Sequence, residues 1–176
     1  MKIVKICDWL INFSFSTLFF LVPLILTPWN YELFEYNKMM LVYGLTIVIA
    51  GVWLIKMVIH KKFLFQRTPF DLPLLLFLLS QVVSTFLSID RHVSLFGYYS
   101  RFNGGLLSVI SYLLLYYALV SNITKEQVLR FLKLSLLSAL VVSLYGILEH
   151  FGIDKNLWVQ DVQNRVFSTL GQPNWL

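Results

Sequence analysis

Three arginines lie in two of the segments that connect apolar stretches of this chain, and they are the residues best suited to bind an anionic ligand. Arg91 and Arg101 lie in "SIDRHVSLFGYYSRFNGG", residues 88–105, and Arg165 lies in the segment that follows Leu148. A guanidinium grips phosphate oxygens in a bidentate manner and keeps its charge at physiological pH. We predict that Arg101 and Arg165 contact phosphate, with Arg91 as a weaker candidate.

The sequence contains none of the common motifs of soluble enzymes or metal-binding proteins. It has no glycine-rich phosphate loop, no metal-ligand spacing and no G-x-S-x-G, so we predict neither a metal nor a cofactor. His92 and His150 are weak candidates for a general base, and no catalytic base can be assigned. The single cysteine, Cys7, cannot form an internal disulfide.

The composition indicates an integral membrane protein. Of the 176 residues, 58% are hydrophobic and 13% charged, and the mean hydropathy is +0.73, whereas about a quarter of a soluble domain is charged. The apolar residues occur in runs of about 20, the length that crosses a bilayer. We predict an all-α, polytopic transmembrane bundle of five spans in the lipid bilayer, near residues 10–29, 39–59, 70–88, 105–121 and 129–148, with Pro23 kinking the first.

The basic residues predict the orientation of these spans. Nine of the fourteen lysines and arginines fall on one side: Lys2, Lys5, Lys56, Lys61, Lys62, Arg67, Lys125, Arg130 and Lys133. We therefore predict that the N-terminus is inside the cell, in the cytoplasmic membrane, and that an outer loop covers residues 149–174. The net charge of +5 is explained by this asymmetry, so we predict no nucleic-acid partner. Trp29, Tyr31, Phe34 and Tyr36 are predicted to anchor the outer interface.

Two local patterns predict how the helices start and pack. Thr124 and Gln127 match a capping box, which begins a helix before the fifth span. The polar residues inside the spans are uncharged, and most are serine or threonine, so we predict that they form hydrogen bonds between helices. Because no charged residue is expected at mid-membrane, an ion-coupled transporter is less favoured.

On this topology the candidate arginines lie at the outer face, where a polyprenyl-pyrophosphate carrier presents its anionic head. A fixed guanidinium stabilises the charge that develops on the bridging oxygen of a departing pyrophosphate. The alternative is that these arginines anchor the chain at the interface or pair with outer carboxylates.

Two stretches resemble bacterial O-antigen ligase/polymerase-type membrane proteins. "SRFNGGLLSVISYLLLYYALV", residues 100–120, is similar to the family's Arg-aromatic-Asn-Gly motif and the span it opens. "VSLYGILEHFGIDKNLW" and "RVFSTLGQPNWL" resemble its next outer loop, with Gln172 where the family usually has asparagine. The motif positions in this chain are Arg101, Asn103, Arg165, Gly171, Pro173 and Asn174.

The resemblance implies that the complete protein transfers a glycan from a polyprenyl-pyrophosphate donor to a lipid or glycan acceptor at the outer face. It also implies a catalytic histidine and further arginines in a later loop, so we interpret the chain as the N-terminal part of such an enzyme, inactive alone. Arg101 and Arg165 would contact the donor phosphates, with Asn103 and Asn174 as weaker candidates. The alternatives are a transporter or flippase-like segment and a small membrane scaffold without catalysis.

Overall fold

The structure, a computed structural model, describes residues 2–27, 32–158 and 161–172 and is helical. Its helices are α1 (Lys2–Leu21), α2 (Glu35–His60), α3 (Asp71–Leu87), α4 (Arg91–Phe96), α5 (Leu106–Asn122) and α6 (Lys125–His150). Two 3-10 turns, Val22–Leu24 and Ser168–Leu170, follow α1 and precede the C-terminus. The all-α class is therefore confirmed, and each of the five predicted spans corresponds to a helix.

Three of these helices are long and apolar enough to cross a membrane: Lys2–Leu24, Glu35–His60 and Lys125–His150. The apolar helices α3 and α5 have 17 residues each. At 1.5 Å per residue they are about 26 Å long, at the lower end of what spans a bilayer core. The structure thus supports a membrane protein with three spanning helices by length and composition, and five spans remain a prediction.

The core lies where α1, α2, α5 and α6 meet. Its buried residues come from all four helices: Ile11, Phe15, Ile49, Trp53, Ala118 and Phe131. α1 packs against both α2 and α6, α2 packs against α5, and α5 packs against α3. No described residue of α3 is buried, so α3 lies at the edge of the bundle.

One end of the bundle carries most of the positive charge, and we call it the basic end. There Lys56 Nζ lies 2.7 Å from Asp8 Oδ1 and 3.0 Å from Asn122 Oδ1, which joins α1, α2 and the end of α5. The nine basic residues predicted to be inside all belong to the helix ends and connections around these contacts. The connections predicted to be outside lie at the opposite end, where they contact the first turns of α2.

The first helix differs from the prediction. α1 starts at Lys2 rather than near Leu10. Lys2 and Lys5 in its first turns are exposed, and charged side chains in such positions do not interrupt a helix. α1 ends at Leu21, and Pro23 follows in the 3-10 turn. Pro23 therefore ends the helix instead of kinking it, since proline cannot donate the next backbone hydrogen bond. The predicted end of this span, residues 28 and 29, lies outside the described residues.

The two local predictions have different outcomes. The capping box is confirmed: Thr124 Oγ1 accepts from Gln127 N, and Gln127 Oε1 accepts from Thr124 N. The prediction of hydrogen bonds between helices is wrong for several hydroxyls, because Ser80, Thr85 and Ser111 donate to carbonyls three or four residues earlier in their own helices. A hydroxyl in a helix can donate to the carbonyl three or four residues earlier, so it does not require a partner on a neighbouring helix.

Candidate functional site

The segment between α3 and α5 forms a compact, defined turn. Asp90 caps α4 by accepting from Val93 N at 3.0 Å, and Gly97 ends α4 with a φ of +89°. A Cβ on Gly97 would overlap the Asn103 carbonyl, whose oxygen accepts from Tyr98 N at 3.3 Å. Glycine is needed at residue 97 both for the backbone angle and for this close approach.

The start of α2 holds this turn in place. Arg101 Nη1 lies 3.2 Å from Glu35 Oε1, and Asn103 Nδ2 donates to Glu35 Oε2 at 2.8 Å. The Tyr43 hydroxyl donates to the Phe102 carbonyl at 2.7 Å. The side chain of Glu35 is 12% exposed and that of Arg101 is 47% exposed, so the guanidinium is oriented by the carboxylate but still open to solvent.

The C-terminal segment is fastened to α6 by a buried carboxylate. Glu149 is fully buried, and its Oε2 accepts from Phe167 N at 2.9 Å and from Ser168 N at 2.7 Å. The Ser168 hydroxyl donates to the Val142 carbonyl at 2.7 Å. Val142 lies seven residues before Glu149, about 10 Å further down the helix. The turn at Ser168 therefore extends from the end of α6 back along the helix to the level of Val142.

Two further helices hold the same turn. Thr169 Oγ1 donates to the Pro23 carbonyl after α1, and Lys38 Nζ of α2 donates to the Thr169 carbonyl at 2.6 Å. Buried irregular backbone is stable only when its N–H and C=O groups find hydrogen-bond partners. These contacts, with those of Glu149, meet that requirement for the residue 167–170 turn.

Aromatic rings pack beside the turn. The rings of Phe34, Trp158 and Phe167 lie 5.1–5.6 Å apart, in one stacked and two edge-to-face arrangements. A Cβ on Gly171, whose φ is +84°, would overlap the Phe34 side chain. The start of α2 thus contacts both connections, through Glu35 on one side and Phe34 on the other.

A second carboxylate organises the chain just after α6. Asp154 Oδ2 accepts from the Tyr145 hydroxyl and from Trp158 Nε1, both at 2.7 Å. Further on, Asn164 Nδ2 donates to Asp161 Oδ2 at 2.6 Å, and this hydrogen bond lowers the pKa of the Asp161 carboxyl. The Arg165 backbone N–H donates to the Asp161 carbonyl. Arg165 thus belongs to this turn, and its side chain is exposed to solvent.

The predicted site residues are in different situations. Arg101 and Asn103 share Glu35, so Arg101 does pair with a carboxylate. Arg165 and Arg91 are exposed, and neither has an ion-pair partner among the described residues. Asn174 lies outside the described residues, as do Pro173, Trp29 and Tyr31.

Two functional carboxylates, Glu35 and Glu149, were not among the residues predicted from the sequence. The buried residues of α6 are Phe131, Ser138, Val142, Gly146 and Glu149, and their spacing of three, four or seven residues marks one helix face. Glu149 continues that face, which the structure reveals and the apolar sequence of α6 does not, because apolar residues occur on all sides of this helix.

The described residues include no group of three or more His, Cys, Asp or Glu that could hold a metal ion. Comparison with protein-family models, curated proteins and solved structures gives no match to this chain.

Proposed function

We propose that this chain is the membrane part of a glycan transferase of the O-antigen ligase/polymerase type, with five spans and its N-terminus inside. In this proposal a polyprenyl-pyrophosphate donor binds at the end opposite the basic end. The donor's glycan passes to a lipid or glycan acceptor at the outer face of the cytoplasmic membrane. The support comes from the resemblance of residues 100–120 and 165–176 and from the surroundings of two arginines.

The observation that carries the proposal is that the two connections that carry the candidate arginines both contact the start of α2. Glu35 pairs with Arg101 at 3.2 Å. The neighbouring Phe34 ring lies 5.6 Å from the ring of Phe167, two residues after Arg165. The connections that carry the two arginines are far apart in sequence, and α2 joins them at one end of the bundle.

Arg101 keeps binding capacity despite its ion pair. A guanidinium has five N–H donors, and Glu35 contacts one of its nitrogens, Nη1. About half of the side chain is exposed, so the remaining donors can reach a pyrophosphate. Glu35 then acts as a positioning residue that fixes the direction of the guanidinium.

Arg165 supplies the second cation. It is exposed and precedes a turn that Glu149, Lys38 and the Pro23 carbonyl hold in place. A cation on an anchored segment needs little reorganisation when charge develops on the departing pyrophosphate. This is the role that the proposal gives to Arg165.

A binding experiment on the purified full-length protein in nanodiscs tests the proposal. Polyprenyl pyrophosphate is the probe, and the corresponding polyprenol, which lacks the phosphates, is the reference lipid. Arg101→Ala and Arg165→Ala should each weaken pyrophosphate binding by roughly 10- to 100-fold, since a hydrogen bond to a charged group contributes about 1.5–3 kcal/mol. Polyprenol binding should not change.

Lys155→Ala is the matched control, because Lys155 is an exposed cation at the same end of the bundle. It should change pyrophosphate binding less than twofold. Equal binding of polyprenol and polyprenyl pyrophosphate by the wild-type protein would refute the proposal. If the pyrophosphate bound and crossed the bilayer without any glycan transfer, the transporter alternative would replace it.

A further inference from the structure

A polar pocket lies between α1 and α6 at the basic end, away from the site described above. Its volume is about 400 Å³. α1 contributes Trp9, Asn12 and Ser16, which lie three or four residues apart on one helix face. α6 contributes Gln127 and Arg130, which are three residues apart. The two helices thus turn their polar positions towards one space.

The pocket collects unused hydrogen-bond donors. Within the part of the chain that the structure describes, neither the Arg130 guanidinium nor the Asn12 side-chain amide has a hydrogen-bond or ion-pair partner. Gln127 uses its Oε1 to accept from Thr124 N, which leaves its two amide N–H groups free. One cation and several neutral donors therefore face the same space, an arrangement that suits an anion rich in acceptor oxygens.

One carboxylate, that of Asp8, also borders the pocket. Lys56 Nζ lies 2.7 Å from Asp8 Oδ1 and is only 13% exposed, so it offsets the charge of Asp8 from the side of α2. The net charge available to a ligand is then that of Arg130.

The mouth of the pocket is apolar and faces outward. The Trp9 and Phe13 rings stack at 5.3 Å with an interplanar angle of 12°, and the two side chains are 61% and 57% exposed. Aromatic residues beside cations are typical of the membrane interface, where ring and hydrocarbon chain make contact. A water-soluble anion would gain little binding energy from these rings. A lipid would contact the polar groups with its headgroup and the rings with its acyl chain.

We propose that this pocket binds one anionic phospholipid. Arg130 grips the phosphate oxygens, Asn12 and Gln127 donate to the phosphate or to headgroup oxygens, and an acyl chain runs along Trp9 and Phe13. Basic pockets between membrane helices bind anionic headgroups in this way. The proposal is independent of the glycan transferase assignment and of the direction in which the chain crosses the membrane.

General attraction of lipid to the many cations of this end is the competing explanation, and matched variants separate the two. Arg130→Gln and Lys125→Gln each remove one positive charge from the start of α6, but only Arg130 lines the pocket. Asn12→Ala removes a donor from the pocket without changing the charge. Arg130→Lys keeps the charge and loses the planar fork.

Native mass spectrometry of the full chain released from nanodiscs measures the affinity for added phosphatidylglycerol, with phosphatidylcholine as the reference lipid. Arg130→Gln should weaken phosphatidylglycerol binding at least fivefold, Asn12→Ala two- to fivefold, and Lys125→Gln less than twofold. Arg130→Lys should fall between the wild-type protein and Arg130→Gln. Circular dichroism of each variant verifies that the helices are retained.

Equal losses for Arg130→Gln and Lys125→Gln, with no effect of Asn12→Ala, would mean general attraction and would overturn the proposal. Soluble glycerol phosphate, added at the concentration of the lipid, should not compete. If it displaced phosphatidylglycerol, the pocket would be a site for free phosphate esters and the lipid assignment would be wrong. An arginine variant that fails to fold leaves Asn12→Ala as the deciding measurement.

Discussion

Glu149→Ala should loosen the turn at residues 167–170 while leaving the long helices intact. In the wild-type protein Glu149 is fully buried, and one of its oxygens accepts from the backbone N–H groups of Phe167 and Ser168. Alanine removes that oxygen. Both N–H groups then stay buried without a partner unless the turn moves and lets water in.

The size of the effect follows from these two hydrogen bonds. A buried donor that loses its partner costs about 1–3 kcal/mol, and we expect a net cost of about 2 kcal/mol for the pair, because alanine also removes Glu149 Oε1, a buried oxygen without a hydrogen-bond partner among the described residues. Since 1.4 kcal/mol is a factor of ten, the turn should open about 30-fold more often. Larger costs are relieved when water enters, and we therefore expect a rise of roughly 30- to 300-fold.

Hydrogen exchange reads out this opening directly. The amides of Phe167 and Ser168 should exchange faster in Glu149→Ala by the factor above, while amides in the middle of α2 should keep their protection. Glu149→Met distinguishes the effect of losing the hydrogen-bond acceptor from the effect of losing side-chain volume, because methionine fills a similar space but is at most a weak acceptor. Glu149→Gln retains an amide oxygen, so its exchange should stay within about tenfold of the wild-type protein.

Two outcomes would refute this reasoning. Unchanged exchange at Phe167 and Ser168 in Glu149→Ala would mean that the carboxylate does not hold the turn. Fast exchange in Glu149→Ala combined with wild-type exchange in Glu149→Met would assign the effect to packing rather than to the acceptor oxygen.

Two further predictions concern the segment between α3 and α5 and the number of membrane spans. Gly97→Ala should lower stability by at least about 2 kcal/mol in detergent thermal unfolding, because its φ of +89° is unfavourable for alanine and its Cβ would overlap the Asn103 carbonyl. Gly44→Ala in α2, where a Cβ meets nothing within 4 Å, should be neutral or slightly stabilising, and equal effects would contradict the prediction. For topology, single cysteines at Ile89 and Lys62 in a cysteine-free background should react with an impermeant thiol reagent from opposite sides of the membrane, because both side chains are exposed at opposite ends of α3. Labelling from the same side would rule out five spans.

The helices could be predicted from the sequence because their signals are local. Apolar runs of nearly 20 residues mark all five long helices, and the Thr124–Gln127 capping box marks the start of α6. α1 was placed too late because a hydropathy run excludes Lys2 and Lys5, which the helix includes. The exposed lysines keep their charges in water or among headgroups, so they do not interrupt the helix.

For the candidate site, the sequence indicated which residues could bind phosphate but not which residues they would contact. The sequence indicated Arg101 as a phosphate ligand or as the partner of an outer carboxylate, without saying which carboxylate. The partner is Glu35, far away in the sequence, and the same carboxylate holds Asn103. Neither the burial of Glu149 nor its two backbone donors could be predicted, because α6 is apolar on all sides and the donors lie 18 and 19 residues further along the chain.

The sequence by itself determined that this protein consists of apolar helices, approximately where the long helices lie, and that its positive charge concentrates at alternate connections. These properties follow from composition and periodicity, which act over a few turns of chain. The tertiary structure alone decided which connection meets which helix: Glu35 with Arg101, Glu149 with the turn at Ser168, and α1 with α6 around Arg130. Such pairings depend on how helices distant in sequence pack side by side, and no local pattern encodes that arrangement.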